Sequence, residues 1–345
     1  MNKKHILRVL TGIMTMSVVF AEDVPIEKSG EDNLLDVLQP GNMMITDYAR
    51  LGVAADFLGT YSRTKDKSSN SEGVTDFVLD TLDISLDVDV TDNIKFSTVV
   101  EYQDGEDLFV DNAFFDVALE NEWKLIFSVG KTTLPFGKYE GGMITDPLTL
   151  ELGEMTKTGF GLTYKLMEEI CLSAWAFRGE IEEEFNDAIF VVDFSPAEGI
   201  NLGVGFVTDI CEGILVDYIE AEGDEYESTS GVAIWAKFDI LESLTIMGEY
   251  VAAIENIQAL EEAKPDAWTI GLEYVLTDAF ALSARIENAC EFVPEELPES
   301  RVGATASYAF NDVASLSIEY LYSKYAGEAE LDNENALSMM LSFEF

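Results

Sequence analysis

The 345-residue sequence carries 66 Asp and Glu against 20 Lys and Arg, a formal net charge of −46. Its only histidine is His5. Carboxylates are therefore the groups with which this chain can do chemistry. Without imidazole there is no Ser/His or Cys/His pair for covalent catalysis and no histidine-based metal set. No GxSxG, HExxH or P-loop pattern occurs either. The sequence reads as a protein that is not an enzyme and has no cofactor and no metal centre. Its acidity disfavours nucleic acid, whose phosphates it would repel. The same acidity would concentrate cations and hold off anions. Acidic runs such as Asp209 to Glu227 and Glu291 to Glu299 offer oxygen ligands of the type that hard divalent cations use, but none matches an EF-hand loop.

One stretch gathers basic, acidic and turn-forming residues at close spacing. Residues 128–155 read SVGKTTLPFGKYEGGMITDPLTLELGEM. Lys131, Pro135, Phe136, Gly137, Lys138, Glu140, Asp146, Glu151 and Glu154 are its candidate functional residues. Pro135 removes a ladder donor and ends a strand. Gly141-Gly142 opens backbone angles closed to other residues. Asp146-Pro147 favours a second turn. Leu148, Leu150 and Leu152 are placed to pack on an apolar wall. Lys131, Lys138 and Lys157, close to Glu140, Asp146, Glu151 and Glu154, would set a transverse field. The expectation is a loop folded into a pore at its narrowest point.

The elements that must hold this loop are strands. Leu51, Val53, Ala55, Phe57, Gly59 and Tyr61 share one face of a period-two pattern; Leu82, Ile84, Leu86 and Val88 do the same, opposite Asp83, Asp87 and Asp89. Sixteen such segments run from residue 51 to residue 345. Tight links such as Thr91-Asp92-Asn93, Thr277 to Ala279 and Asn311 to Ala314 alternate with longer ones. This is the plan of an all-β transmembrane antiparallel barrel of about 16 strands, with short periplasmic turns and long external loops. The interrupted stretch is its third external loop. A mean hydropathy of +0.09 beside 25 % charged residues fits opposite faces turned to lipid and to water. On the watery face the pattern places Lys95, Glu101, Lys237, Glu249, Glu273, Arg285 and Arg301, since a charge at the lipid midplane costs about 2–4 kcal/mol. Segment 170–179 resists assignment, because Trp175 and Phe177 oppose Leu172, Ala174 and Ala176.

Residues 1–21 read as a signal peptide, with Lys3, Lys4 and Arg8 before an apolar run ending near Ala21. Residues 22–48 read as a periplasmic lead-in, and 49–345 as the barrel. No later apolar run is long enough for a membrane helix. Three cysteines, an odd count, argue against a disulfide framework, although Cys211 and Cys290 fall in loops on one side and could pair. The chain ends on Phe345, with Leu337, Met339, Leu341 and Phe343 on the same face. Such an end resembles the signal read by the barrel-assembly machinery of the outer membrane. The expected surroundings are outer-membrane lipid.

Gly130-Lys131, Pro135-Phe136-Gly137, Tyr139-Glu140 and Met143 to Glu154 (MITDPLTLELGE) resemble the signature of the LbtU-like siderophore porins. The Gly-Lys and Pro-Phe-Gly portion is also similar to phosphate-selective porins. The resemblance implies a Gram-negative outer-membrane barrel for passive uptake of a small solute, an iron-chelating siderophore among them. Two alternatives remain beside it: a general or cation-selective porin, and a non-conducting structural or adhesive barrel. A homotrimer is the common porin assembly, although no self-complementary patch is visible in the sequence.

Overall fold

The computed structural model describes residues 43–345 except 47, 69, 120–123, 182–184, 214, 217–226, 261–262, 292–296 and 326–330. The signal peptide and most of the lead-in therefore lie outside the described residues.

A short strand β1 (Met43–Thr46) leads into the barrel and pairs with β2 (Ala49–Asp66). There follow β3 (Ser71–Thr91), β4 (Ile94–Gln103), β5 (Phe109–Ala118) and β6 (Leu125–Thr133). After the long third loop come β7 (Thr156–Lys165), β8 (Ile170–Phe177), β9 (Asp187–Ala197) and β10 (Ile200–Val207). The remaining strands are β11 (Gly231–Leu241), β12 (Leu244–Ala253), β13 (Asp266–Thr277), β14 (Phe280–Cys290), β15 (Ser300–Ala309), β16 (Ala314–Lys324) and β17 (Leu331–Glu344).

Each strand from β2 to β17 pairs antiparallel with the next, and β17 returns to β2 in the register Ser338 opposite Thr60. The sheet is thus a closed ring of 16 strands. Closure leaves no open edge, which is what lipid demands of a spanning sheet. The seam is fixed to the last residue: Val53 and Phe345 exchange backbone hydrogen bonds of 3.1 and 2.9 Å. Among the described residues no helix is long and apolar enough to cross a membrane.

The outer face carries Phe160, Leu162, Phe190, Ile234, Ile270 and Ile318, all exposed. An apolar belt of this extent would be an aggregation hazard in water and is the expected surface in a bilayer. Tyr308 and Phe310 pair at the end of β15, and Phe160 of β7 stacks on Phe185 of the loop before β9.

Two features depart from the alternating pattern. The β2–β3 hairpin is longer than the apolar alternation indicates, with its turn at residues 67–70. Its outer half, Thr64 to Gly73, is polar because it rises beyond the apolar belt, where lipid no longer selects side chains. The ladder is also broken by bulges, among them one between Asp56 and Phe57 and one between Val99 and Val100.

Candidate functional site

The third loop runs from Leu134 to Met155, and its side chains are among the most buried in the molecule. Phe136, Leu148 and Leu152 are fully buried, with Leu134 and Met155 nearly so. They pack with Trp175 and Phe177 of β8, Ile189 and Val191 of β9, Trp235 of β11 and Val251 of β12. These wall residues occupy the rows opposite the exposed apolar belt, so the loop lies within the barrel. Each fully buried Leu or Phe contributes about 1.5–3 kcal/mol on area grounds. This inner apolar patch resolves the ambiguity at 170–179: Trp175 and Phe177 point inward because the loop covers them.

Local chemistry shapes the loop. Leu134 donates its backbone N–H to Met155 O at 2.8 Å, so the two ends meet. Pro147 starts a single-turn helix α1 (Leu148–Gly153), closed by the Glu154 N–H on Leu150 O at 2.9 Å. Close approaches need glycine. A Cβ on Gly205 of β10 would strike the Phe136 carbonyl, and one on Gly142 would strike Ser283 of β14. Tyr139 sits at φ +52°, a left-handed conformation that few non-glycine residues adopt.

Acidic residues of the wall hold the loop backbone. Glu249 of β12 accepts the N–H groups of Lys138 (2.7 Å) and Tyr139 (3.0 Å) and the Thr149 hydroxyl (3.0 Å). Glu287 of β14 accepts the Leu148 N–H at 2.9 Å. Glu319 of β16 accepts the N–H groups of Ile144 (2.7 Å) and Thr145 (3.2 Å). Arg285 of β14 donates to the carbonyls of Thr145 (2.6 Å) and Asp146 (2.9 Å), and Arg301 of β15 reaches Asp146 O at 3.2 Å. Arg285 also pairs with Glu287 at 3.3 Å, both almost fully buried. Charge-assisted bonds to backbone groups are the strong class of hydrogen bond. The tip then reaches the barrel seam, where Ile144 packs with Leu58 of β2 and Met340 of β17.

The residues singled out in the sequence fall in three places. Pro135, Phe136, Gly137, Lys138, Glu140, Asp146, Glu151 and Glu154 belong to the inner loop. Lys131 stands on β6, opposite Ala113 and Thr158, and donates to Val110 O at 2.8 Å. Lys95, Glu101, Lys237, Glu249, Glu273, Arg285 and Arg301 lie on the strand faces opposite the exposed apolar residues; Glu249, Arg285 and Arg301 are in register with buried neighbours, and Lys95 and Glu101 with half-buried ones.

The lysines find partners away from the loop's own acids. Lys138 pairs with Asp193 of β9 at 3.4 Å, and Glu140 with Lys237 of β11 at 2.7 Å. Lys157 pairs with Glu180 and Glu212, each at 3.2 Å. Lys138 and Glu140 of the loop are thus each tied to the wall.

All the polar anchors lie on β9 to β16. The inward rows of β2 to β5 carry a different set: Asp56, Asp83, Asp87, Glu101 and Asp116. Asp83 and Glu101 are directly opposite one another across the β3–β4 pair. Thr81 donates to Asp56 at 3.1 Å, Ser97 to Asp87 at 2.6 Å and Ser128 to Asp116 at 2.5 Å. The loop is therefore anchored on β9 to β16 and touches β2 only at its tip, and the rest of the inward face of β2 to β5 is predominantly acidic, with Lys95 among the acids. Parity gave the inward rows from sequence, but the role of Glu249, Glu287 and Glu319 as backbone anchors carried no sequence signal.

Where the start of β9 meets the loop after β10, beside the inner loop, three carboxylates are buried together. Asp187, Asp209 and Glu212 lie with one oxygen of each within 4.8 Å of the others. Glu212 accepts the N–H groups of Glu180 (2.7 Å) and Ile181 (3.1 Å). Asp209 caps a short turn by accepting from Cys211 and Thr229. Burial, with Asp187 and Glu212 alongside, pushes the Asp209 carboxyl up to about 7 against those two hydrogen bonds. The cysteines are all free thiols, Cys211 buried and Cys290 exposed, so the two do not pair.

No family model matches this chain, and no curated protein matches it. Solved structures do. The outer-membrane channel DcaP of Acinetobacter baumannii is 12 % identical with a TM-score of 0.61, covering 86 % of this chain and 98 % of its own. OprB of Pseudomonas putida is 10 % identical with a TM-score of 0.59, over 90 % and 95 % of the two chains. An anion-selective porin from Comamonas acidovorans is 8 % identical with a TM-score of 0.60, over 86 % and 99 %. What these likenesses establish is the fold: the chain is a closed 16-strand antiparallel barrel of the outer-membrane porin type.

Proposed function

We propose that this protein is a passive-diffusion porin of the outer membrane, whose aqueous path favours small cations. The observation that carries the reading is the division of the inner surface. The loop from Leu134 to Met155 is held on β9 to β16 by Glu249, Glu287, Glu319, Arg285 and Arg301. A solute then passes between the loop and the carboxylate rows of β2 to β5. Lys138, Glu140, Asp146, Glu151 and Glu154 belong to the loop that forms this constriction. Rings of fixed carboxylate charge draw cations and disfavour anions. A shared fold does not settle selectivity, since one neighbour of the same fold is an anion-selective porin.

A siderophore is the second reading. It rests on the likeness of residues 128–155 to the siderophore-porin signature, the same residues that the wall anchors hold in place. An anionic ferric siderophore would meet like charge on the open half. Phe345, fixed to Val53 at the seam, suits the assembly machinery of the outer membrane. A homotrimer is proposed by analogy, since OmpT of Vibrio cholerae, at TM-score 0.55, has a trimer form.

The test is reconstitution in a planar lipid bilayer under a KCl gradient. The expected result is stable conductance with a reversal potential of cation-selective sign. Absence of conductance overturns the porin reading. Anion-selective sign with block by a ferric siderophore overturns the cation reading in favour of the second.

A further inference from the structure

The bulges of β3 and β5 each insert one extra residue, and both extra residues are aspartates. Between β2 and β3, Asp56 pairs with Thr81 and Phe57 with Leu79, leaving Asp80 as the added residue. Between β4 and β5, Val99 pairs with Asn112 and Val100 with Val110, leaving Asp111. A bulge breaks the period of two and re-aims side chains. Asp80 and Thr81 therefore both turn inward, only 5 % and 6 % exposed. Asp111 likewise turns in beside Asn112, which donates to it.

The result is a concentration of carboxylates that simple alternation would not produce. Asp56 and Asp104 are the like charges that bear on Asp80; Asp56 and Asp111 bear on Asp83; Asp83 and Asp111 bear on Glu101. The Asp104 N–H is tied to the Asp80 carbonyl at 2.9 Å, which fixes that neighbour in place. Among the described residues, Asp80, Asp83, Glu101 and Asp111 take part in no ion pair with lysine or arginine. Asp80 Oδ2 and Asp83 Oδ1 are buried oxygens with no hydrogen-bond partner. A buried carboxylate oxygen is costly without a donor or a cation. The anchoring acids of the opposite half, Glu249, Glu287 and Glu319, each have several donors. Asp111 has Asn112 as a donor and Lys131 bearing on it, so the contrast rests on Asp80 and Asp83, whose buried oxygens have no donor.

We propose that Asp80 Oδ2 is the one inner ligand of a binding station for a partly hydrated divalent cation of the Mg²⁺ class, with Asp56, Asp83, Glu101 and Asp104 supplying negative field around its waters and not a convergent ligand set. Mg²⁺ keeps several of its waters and takes only one or two carboxylates, which suits a site at the edge of an aqueous path. The station deepens the cation reading above, resting on the same inward wall, but its occupancy does not require that the barrel conduct.

The experiment is a Mn²⁺ titration of the folded barrel in detergent, with bound ion counted by electron paramagnetic resonance and competed with Mg²⁺. The wild type is expected to hold one more Mg²⁺-competable ion than Asp80→Asn, or to hold it at least five-fold more tightly. Asp187→Asn, in the carboxylate cluster at the start of β9, is expected to keep that ion. Asp56→Asn is the second variant, so that a folding defect in Asp80→Asn, checked by circular dichroism, leaves the question decidable. Equal stoichiometry and affinity in wild type and both variants overturns the station, as does loss of the ion in Asp187→Asn alone. Conductance is recorded separately, so a barrel that binds the ion but does not conduct counts against the porin reading and not against the station.

Discussion

Glu319 and Thr145 are 174 residues apart in sequence and joined by two hydrogen bonds. The Thr145 hydroxyl donates to Oε1 at 2.5 Å and its backbone N–H to Oε2 at 3.2 Å. One carboxylate of β16 thus holds the far end of a loop that leaves the wall at β6. Glu319→Gln keeps the shape of this contact and removes its charge. Hydrogen bonds to charged groups are worth about 1.5–3 kcal/mol, so the variant is expected to lose about that much stability. Urea titration of the barrel in lipid vesicles measures it, and single-channel records of the variant should show added flicker.

Arg285 and Glu287 are a buried pair at 3.3 Å. Arg285→Met leaves Glu287 buried with only the more distant Arg301, at 4.0 Å. The expected loss is about 3–5 kcal/mol, the usual cost of removing one partner of a buried ion pair. The double variant Arg285→Met, Glu287→Gln should recover part of it. If the double variant is as unstable as the single one, the damage comes from the lost bonds to the Thr145 and Asp146 carbonyls instead.

Leu152 is fully buried between the loop and the wall. Leu152→Ala should cost about 2–5 kcal/mol, from lost transfer and the cavity left behind. A thermal melt followed by circular dichroism reads the loss. Conductance in the same variant should rise or become noisier, since the loop then seats less firmly.

Burial raises the Asp209 carboxyl from its ordinary value of 3.8 to about 7 in the folded protein. The folded protein therefore holds this proton more firmly than the unfolded chain does. Its contribution is complete below about pH 4 and is lost as pH rises through about 7. The melting temperature should fall between pH 5 and pH 8, and Asp209→Asn should flatten that fall. An unchanged slope in the variant would assign the pH dependence to other groups.

Cys290 is exposed and Cys211 is buried. A membrane-impermeant maleimide added to intact cells should label Cys290 readily and Cys211 only after unfolding. Labelling of Cys290 solely from the periplasmic side would invert the orientation of the loops.

The barrel was legible because lipid imposes a two-residue period wherever it touches the wall. On that period Lys95, Glu101, Lys237, Glu249, Glu273, Arg285 and Arg301 alternate with the apolar residues of their strands. It failed where lipid has no say. The upper β2–β3 hairpin stands clear of the apolar belt, and its polar residues look like a loop. On β8, Trp175 and Phe177 face inward against the loop, so apolar side chains lie on both faces. At Asp80 and Asp111 one extra residue shifts the phase of the pattern, and no single residue type announces it. The helical turn at Leu148–Gly153 is too short to show a helical period.

The loop's anchors also set an order of events. Its residues are synthesised before Glu249, Glu287 and Glu319, which stand 111, 139 and 175 positions further along from the backbone N–H groups of Lys138, Leu148 and Ile144 that they accept. Ile144 needs β17 and β2 side by side before its own pocket exists. The tip of the loop therefore cannot take its seat until the last strand has found the first. A half-built barrel carries its loop unfastened, and closing the wall and narrowing the passage become one late step of assembly.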